Sequence, residues 1–131
     1  MVKLGKKVAT DKRLTEQERK QLQAEIRDYI QQYFKKVLGK GIDFTKVTIC
    51  EDFLLIRLEG FLTDPEKYIA RTNSGKEKVK ESRMHVGKEF IDDNLPFMEE
   101  RLQAVTRYYS YDIDPDKDIA SVLLVFGRQV T

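Results

Sequence analysis

Two pairs of short apolar runs constrain this chain more than any other feature. Phe44–Cys50 and Phe53–Glu59 are rich in β-branched and aromatic residues and are separated only by Glu51-Asp52. Arg107–Ile113 and Ile119–Phe126 form a second pair around Asp114-Pro115-Asp116-Lys117-Asp118. Runs of this length, bounded by turn residues, read as β-hairpins, and hairpins pair antiparallel. In the first run Val47 and Ile49 alternate with Lys46 and Thr48, as in a half-buried strand. Phe53–Leu58 and Ile119–Phe126 are apolar at odd and even positions alike. Strands of that kind are usually covered on both sides.

The remaining segments carry helix signals. Thr15 and Glu18 are spaced as a capping box, in which each satisfies the other's backbone N–H. Leu22, Ile26, Tyr29, Ile30, Tyr33 and Val37 then fall at helical spacing, predicting an amphipathic helix over 15–38 with Gly39 as its left-handed stop. Thr63 and Glu66, with Pro65 in the first turn, predict a short helix over 64–71. Ser74 and Glu77 predict a third capping box. The helix after it runs through Val79 and Arg83 and shows its clearest register at Ile91, Leu95, Met98, Leu102 and Val105. Pro96 falls inside that register, and the unbroken spacing across it favours a kink over a break. The predicted class is α+β, in the order α-β-β-α-α-β-β. A four-stranded antiparallel sheet from two hairpins packs with two long helices and one short helix.

A length of 131 residues fits one domain, spanning 15–131, preceded by a basic tail over 1–14. Lys3, Lys6, Lys7, Lys12 and Arg13 against Asp11 give residues 1–13 a charge of +4 and leave −2 on the rest. If the tail has a role, it is a weak contact with an anionic membrane surface or an acidic protein. No apolar stretch is long enough to cross a bilayer, and residues 2–10 lack the apolar core of an export signal. A lone cysteine with no export signal points to the cytoplasm.

The search for chemistry is nearly empty. His85 is the only histidine and has no nucleophile beside it. Cys50 adjoins Glu51, whose charge opposes thiolate formation, so it reads as a structural thiol. One Cys and one His supply no structural zinc site, and no cofactor is expected. Asp112, Asp114 and Asp116 fall at the first positions of a calcium loop. The match then fails, with Lys117 in place of glycine and Leu123 in place of glutamate. Gly39-Lys40-Gly41 follows a helix instead of opening one, so it is a cap and not a phosphate loop. Tyr108, Tyr109 and Tyr111 beside Arg107 suggest a stacking platform. The neighbouring acidic turn argues against nucleic acid as a partner.

Several stretches, taken in order, resemble one family. They are Leu38-Gly39-Lys40-Gly41, Ile56-Arg57-Leu58-Glu59-Gly60, and Leu62-Thr63 with Glu66. Ala70, Thr72, Gly75, Val79 and Arg83 continue the pattern, followed by Asp112-Ile113 and Val125-Phe126. From Glu25 to Arg128 the chain resembles the MpsC-like family of small bacterial proteins. The resemblance implies a soluble protein linked to a sodium-translocating, membrane-potential-generating system that handles cations or bicarbonate. It implies no catalytic residues.

The expected function is therefore a non-enzymatic accessory or regulatory protein. It acts in the cytoplasm or at the membrane periphery, through a protein partner that is itself membrane-associated. The alternative is a small-anion-binding domain. Its site would use Arg57 and Arg83, with Thr63, Glu66 and Asp112 nearby, because guanidinium forks suit carboxylate, phosphate or bicarbonate. A homodimer is also expected, since a sheet covered by helices on one side would leave apolar side chains of its two-faced strands in water.

Overall fold

The computed structural model describes residues 12–131. The tail residues Lys3, Lys6 and Lys7 lie outside the described residues. Helix α1 spans Glu16–Leu38, strands β1 and β2 span Phe44–Cys50 and Phe53–Glu59, and helices α2 and α3 span Asp64–Ile69 and Asn73–Leu102. Strands β3 and β4, Thr106–Asp114 and Ile119–Phe126, complete the chain. The architecture is the α+β fold read from the sequence. The sheet is antiparallel throughout, in the spatial order β1-β2-β4-β3. The two strands with apolar residues on both faces, β2 and β4, are the two central ones.

The register sorts the side chains into two faces. Leu54, Ile56 and Leu58 of β2 are aligned with Val47 and Ile49 of β1 and with Ala120, Val122 and Leu124 of β4, and all are buried. Leu22, Ile26, Ile30 and Phe34 of α1 and Val79, Phe90, Ile91, Met98 and Leu102 of α3 belong to the same core. Both long helices thus cover one face. Their crossing is an aromatic cluster. Tyr29 stacks on Phe97 at 3.9 Å and Phe34 on Phe90 at 5.1 Å. The Tyr33 hydroxyl donates to Asp93 at 2.8 Å. Gln23 of α1 accepts from the Ile49 N–H at 2.8 Å, so one donor on the β1 edge is occupied by a side chain.

Local capping accounts for the helix starts. The Thr15–Glu18 and Thr63–Glu66 boxes both form, and Gly39 ends α1 at φ 75°. The third box does not. Thr72, not Ser74, is the N-cap of α3, and it accepts from the Gly75 N–H at 3.0 Å. Glycine is required there. A Cβ on Gly75 would sit 1.7 Å from the Ile69 carbonyl oxygen at the end of α2. Helix α3 runs through Pro96 without a break. Two apolar positions also differ from expectation. Val37 is 55% exposed because the buried stripe of α1 advances by fours to Phe34. Val105 lies beyond the end of α3 and is exposed.

The tail is tied down over its last residues. The Leu14 N–H donates to Val130 at 2.8 Å, and Arg128 donates to the Lys12 carbonyl at 2.9 Å. Val130 is fully buried and its N–H donates to Glu51 across the β1–β2 turn. Lys12 and Leu14 are thus hydrogen-bonded to the C-terminal segment.

Candidate functional site

The polar residues singled out in the sequence separate into two places. Thr63, Glu66 and Arg83 come together where α2 begins. Thr63 is the N-cap. Its N–H and hydroxyl donate to Glu66 Oε1 at 2.9 and 3.0 Å, and its hydroxyl accepts the Glu66 N–H at 3.3 Å. The same carboxylate receives Arg83 from α3. Nε donates to Oε2 and Nη2 to Oε1, both at 2.8 Å. Arg83 Nη2 also donates to the Phe61 carbonyl at 3.0 Å, and the guanidinium lies 5.4 Å from the Phe61 ring centroid. Arg83 is only 7% exposed. Burial alone would raise the Glu66 carboxyl; the Arg83 hydrogen bonds and those from Thr63 outweigh it and hold the group below its ordinary value.

The acidic turn completes this clamp. Asp118 adopts φ 55°, and its Oδ1 accepts from the N–H groups of Phe61 and Leu62, both at 3.0 Å. Its carbonyl accepts from the Gly60 N–H at 3.0 Å. Asp114 caps the same turn by accepting from Asp116 and Lys117, and Asp116 pairs with Lys76 of α3. The alternating aspartates thus act as turn and loop acceptors. Among the described residues no three His, Cys, Asp or Glu side chains converge as metal ligands would. The sequence search did not single out Asp118, although an Asp tolerating positive φ at a turn end is a recognisable signal.

Beside the clamp lies a cavity of about 40 Å³ between α3 and the sheet, lined by Leu58, Phe61, Arg83, Phe90 and Val122 among others. It is almost wholly apolar and has room for little more than water. His85 is exposed on α3, and Cys50 is half-buried and free.

Arg57 is elsewhere. It alternates with the buried Ile56 and Leu58, so it projects from the opposite face of the sheet. There it pairs with Glu59 at 3.2 Å and lies 5.2 Å from the Phe44 ring centroid. Asp112 pairs with Lys80 of α3 at 3.4 Å. Arg57 and Arg83 therefore share neither a face nor a carboxylate, contrary to expectation. Strand alternation sends one outward, while the Glu66 fork already fills the other.

What the clamp holds is α2. This six-residue helix buries none of its own side chains. It carries Tyr68, 70% exposed, and Ile69, also exposed. Arg71 lies 5.1 Å from the Tyr68 ring centroid. Three groups distant in sequence (Arg83, Asp118 and the Thr63 box) fix the base of a helix that contributes nothing to the core.

Residues 18–128 match the family described as the Na+-translocating membrane potential-generating system (MpsC). This chain belongs to the MpsC family. A curated relative, "Uncharacterized protein YrhF" of Bacillus subtilis (strain 168), is 30% identical over 107 residues, covering 81% of this chain and 88% of that protein. No solved structure matches the chain. The MpsC match spans all seven helices and strands except Glu16 and Gln17 at the start of α1, so the clamp and α2 lie within it. No helix among the described residues is long and apolar enough to cross a membrane.

Proposed function

We propose that this MpsC-family chain is a non-enzymatic accessory subunit that docks through α2 onto a membrane-associated protein partner. The observation that carries the reading is the exposure of Tyr68 and Ile69 on a helix with no buried side chain. A helix this short has no stability of its own. Its order comes from the buried Arg83–Glu66 pair and the Asp118 hydrogen bonds at its base. Aromatic anchors on a pre-ordered element bind with little entropy loss. Lys67 and Arg71 flank the two apolar residues, so the fitting partner offers an apolar slot rimmed by carboxylates. The family's description as a Na+-translocating membrane potential-generating system supports a setting at the membrane. The site of action is the cytoplasmic membrane surface, with the basic residues Lys12 and Arg13 beside the anionic headgroups.

A photo-crosslinking residue placed at position 68 in cells tests this, with the same residue at His85, exposed on α3, as control. Position 68 is expected to give a discrete adduct with a membrane-fraction protein that the control does not give. Equal labelling from both positions, or none from position 68, refutes the reading.

A further inference from the structure

The face of the sheet that carries no helix has an ordered pattern. Reading across β1, β2, β4 and β3, the register places its outward side chains in four rows. The first is Cys50, Phe53, Val125 and Tyr108, and the second is Thr48, Leu55, Leu123 and Ser110. The third is Lys46, Arg57, Ser121 and Asp112, and the fourth is Phe44, Glu59, Ile119 and Asp114. Half of this face is apolar, including Leu55 at 38% and Tyr108 at 56% exposure. The other half has Lys46 and Arg57 on β1 and β2, with Glu59 of β2 paired to Arg57, and the carboxylates Asp112 and Asp114 on β3.

We infer that a second copy of this chain covers this face, related by a two-fold axis parallel to the strands. Such an axis keeps each row level and reverses its order. Leu55 then meets the second copy's Leu123, and Phe53 meets its Val125. Lys46, which makes no salt bridge among the described residues, meets Asp112 at the opposite end of the partner row, an exposed carboxylate that Lys80 of its own α3 also reaches around the β3 edge. A two-fold axis across the strands instead sets Leu55 against Arg57 and Lys46 against Thr48, burying charge among apolar groups. The first orientation confines such mismatches to the end row, where Phe44 meets Asp114 and Glu59 meets Ile119, and keeps the two apolar rows matched, which is what an isologous interface favours. With strands about 4.8 Å apart and a rise of about 3.4 Å per residue, four strands give a flat footprint of roughly 900 Å² over both copies. Corrugation by side chains brings this to ~1,000 Å², the lower bound for a specific interface. Two sheets stacked this way form an aligned sandwich.

Sedimentation equilibrium of the full chain at micromolar concentrations should give twice 15.4 kDa. Carbodiimide treatment should then link Lys46 to Asp112 in the dimer. Within one chain these residues sit on opposite edge strands, three strand spacings or roughly 14 Å apart, so that link is intermolecular. The link is sought in a Lys80→Arg variant, because the Lys80–Asp112 pair within one chain would otherwise compete for the same carboxylate and arginine forms no such amide. Leu55→Asp, at a side chain already in contact with water, should leave the circular dichroism spectrum intact and yield a monomer. A monomeric mass at every concentration overturns the inference, as does a dimer that survives Leu55→Asp. A dimer without the Lys46–Asp112 link overturns the strand-parallel axis. Should Leu55→Asp unfold the chain, the wild-type mass and the Lys46–Asp112 link still decide.

Discussion

Replacing Arg83 with methionine tests the clamp most directly. The substitution removes two charge-assisted hydrogen bonds to Glu66 and one to the Phe61 carbonyl, while keeping most of the side-chain volume. Removing one partner of a buried ion pair typically costs about 3–5 kcal/mol, because the other charge is stranded. Here the Glu66 side chain keeps 21% of its surface in water and retains its Thr63 hydrogen bonds, which places Arg83→Met near the lower end, about 3 kcal/mol. For a chain of this size that corresponds to a drop in melting temperature of roughly 10 °C. Adding Glu66→Gln removes the stranded charge, so the double variant should be less destabilised than the sum of the two single variants by at least ~1.5 kcal/mol. The pH dependence supplies the sign. The folded Glu66 pKa lies below its ordinary 4.5, so the pair stabilises above that value and the contribution is lost as pH falls through the folded pKa. Arg83→Met should flatten this acid limb. Urea melts at neutral and acid pH give the energies, and hydrogen exchange over residues 64–71 reports whether α2 frays first. A variant within ~0.5 kcal/mol of wild type, the ordinary range for surface changes, or one with unchanged protection in α2, would refute the clamp.

Other expectations follow from the same geometry. Thr72→Ala should cost about 1 kcal/mol in thermal melts, while Ser74→Ala should be close to neutral, because Thr72 alone caps α3. Gly75→Ala should lower the melting temperature despite a helix-propensity gain of about 1 kcal/mol. Its Cβ would lie 1.7 Å from the Ile69 carbonyl oxygen, which forces α2 and α3 apart. Burial, and then the hydrogen bond to Asp93, push the Tyr33 hydroxyl up to about 12. Its stabilising contribution is complete below the ordinary value of 10 and is lost as pH climbs toward the folded value, so Tyr33→Phe should flatten the alkaline limb of a stability–pH curve.

The sequence by itself determined the elements and their order. Capping boxes, the Gly39 stop and two-residue alternation act over a few residues, so they are visible without the fold. The apolar residues on both faces of β2 and β4 are visible in the same way, but the strand order that makes those two strands central is not. The sequence misplaced the start of α3 because Ser74 and Thr72 both satisfy a capping pattern. Only the approach of Ile69 to Gly75 selects between them. It also paired Arg57 with Arg83, since nothing local says which face of a strand will meet a helix. The stripe of α3 is interrupted by Arg83 and Asn94, polar residues that reach buried positions by finding partners: Glu66 and Phe61 for the first, the Phe90 carbonyl for the second. Two of those partners, with the Asp118 bonds to Phe61 and Leu62, join segments that meet only when the sheet closes in the order β1-β2-β4-β3. Tertiary structure alone decided that both long helices take one face, that no helix of this chain covers the other, and that α2 stands out from the core. Those outcomes depend on how burial is shared among elements far apart in the chain, and no local pattern encodes that division.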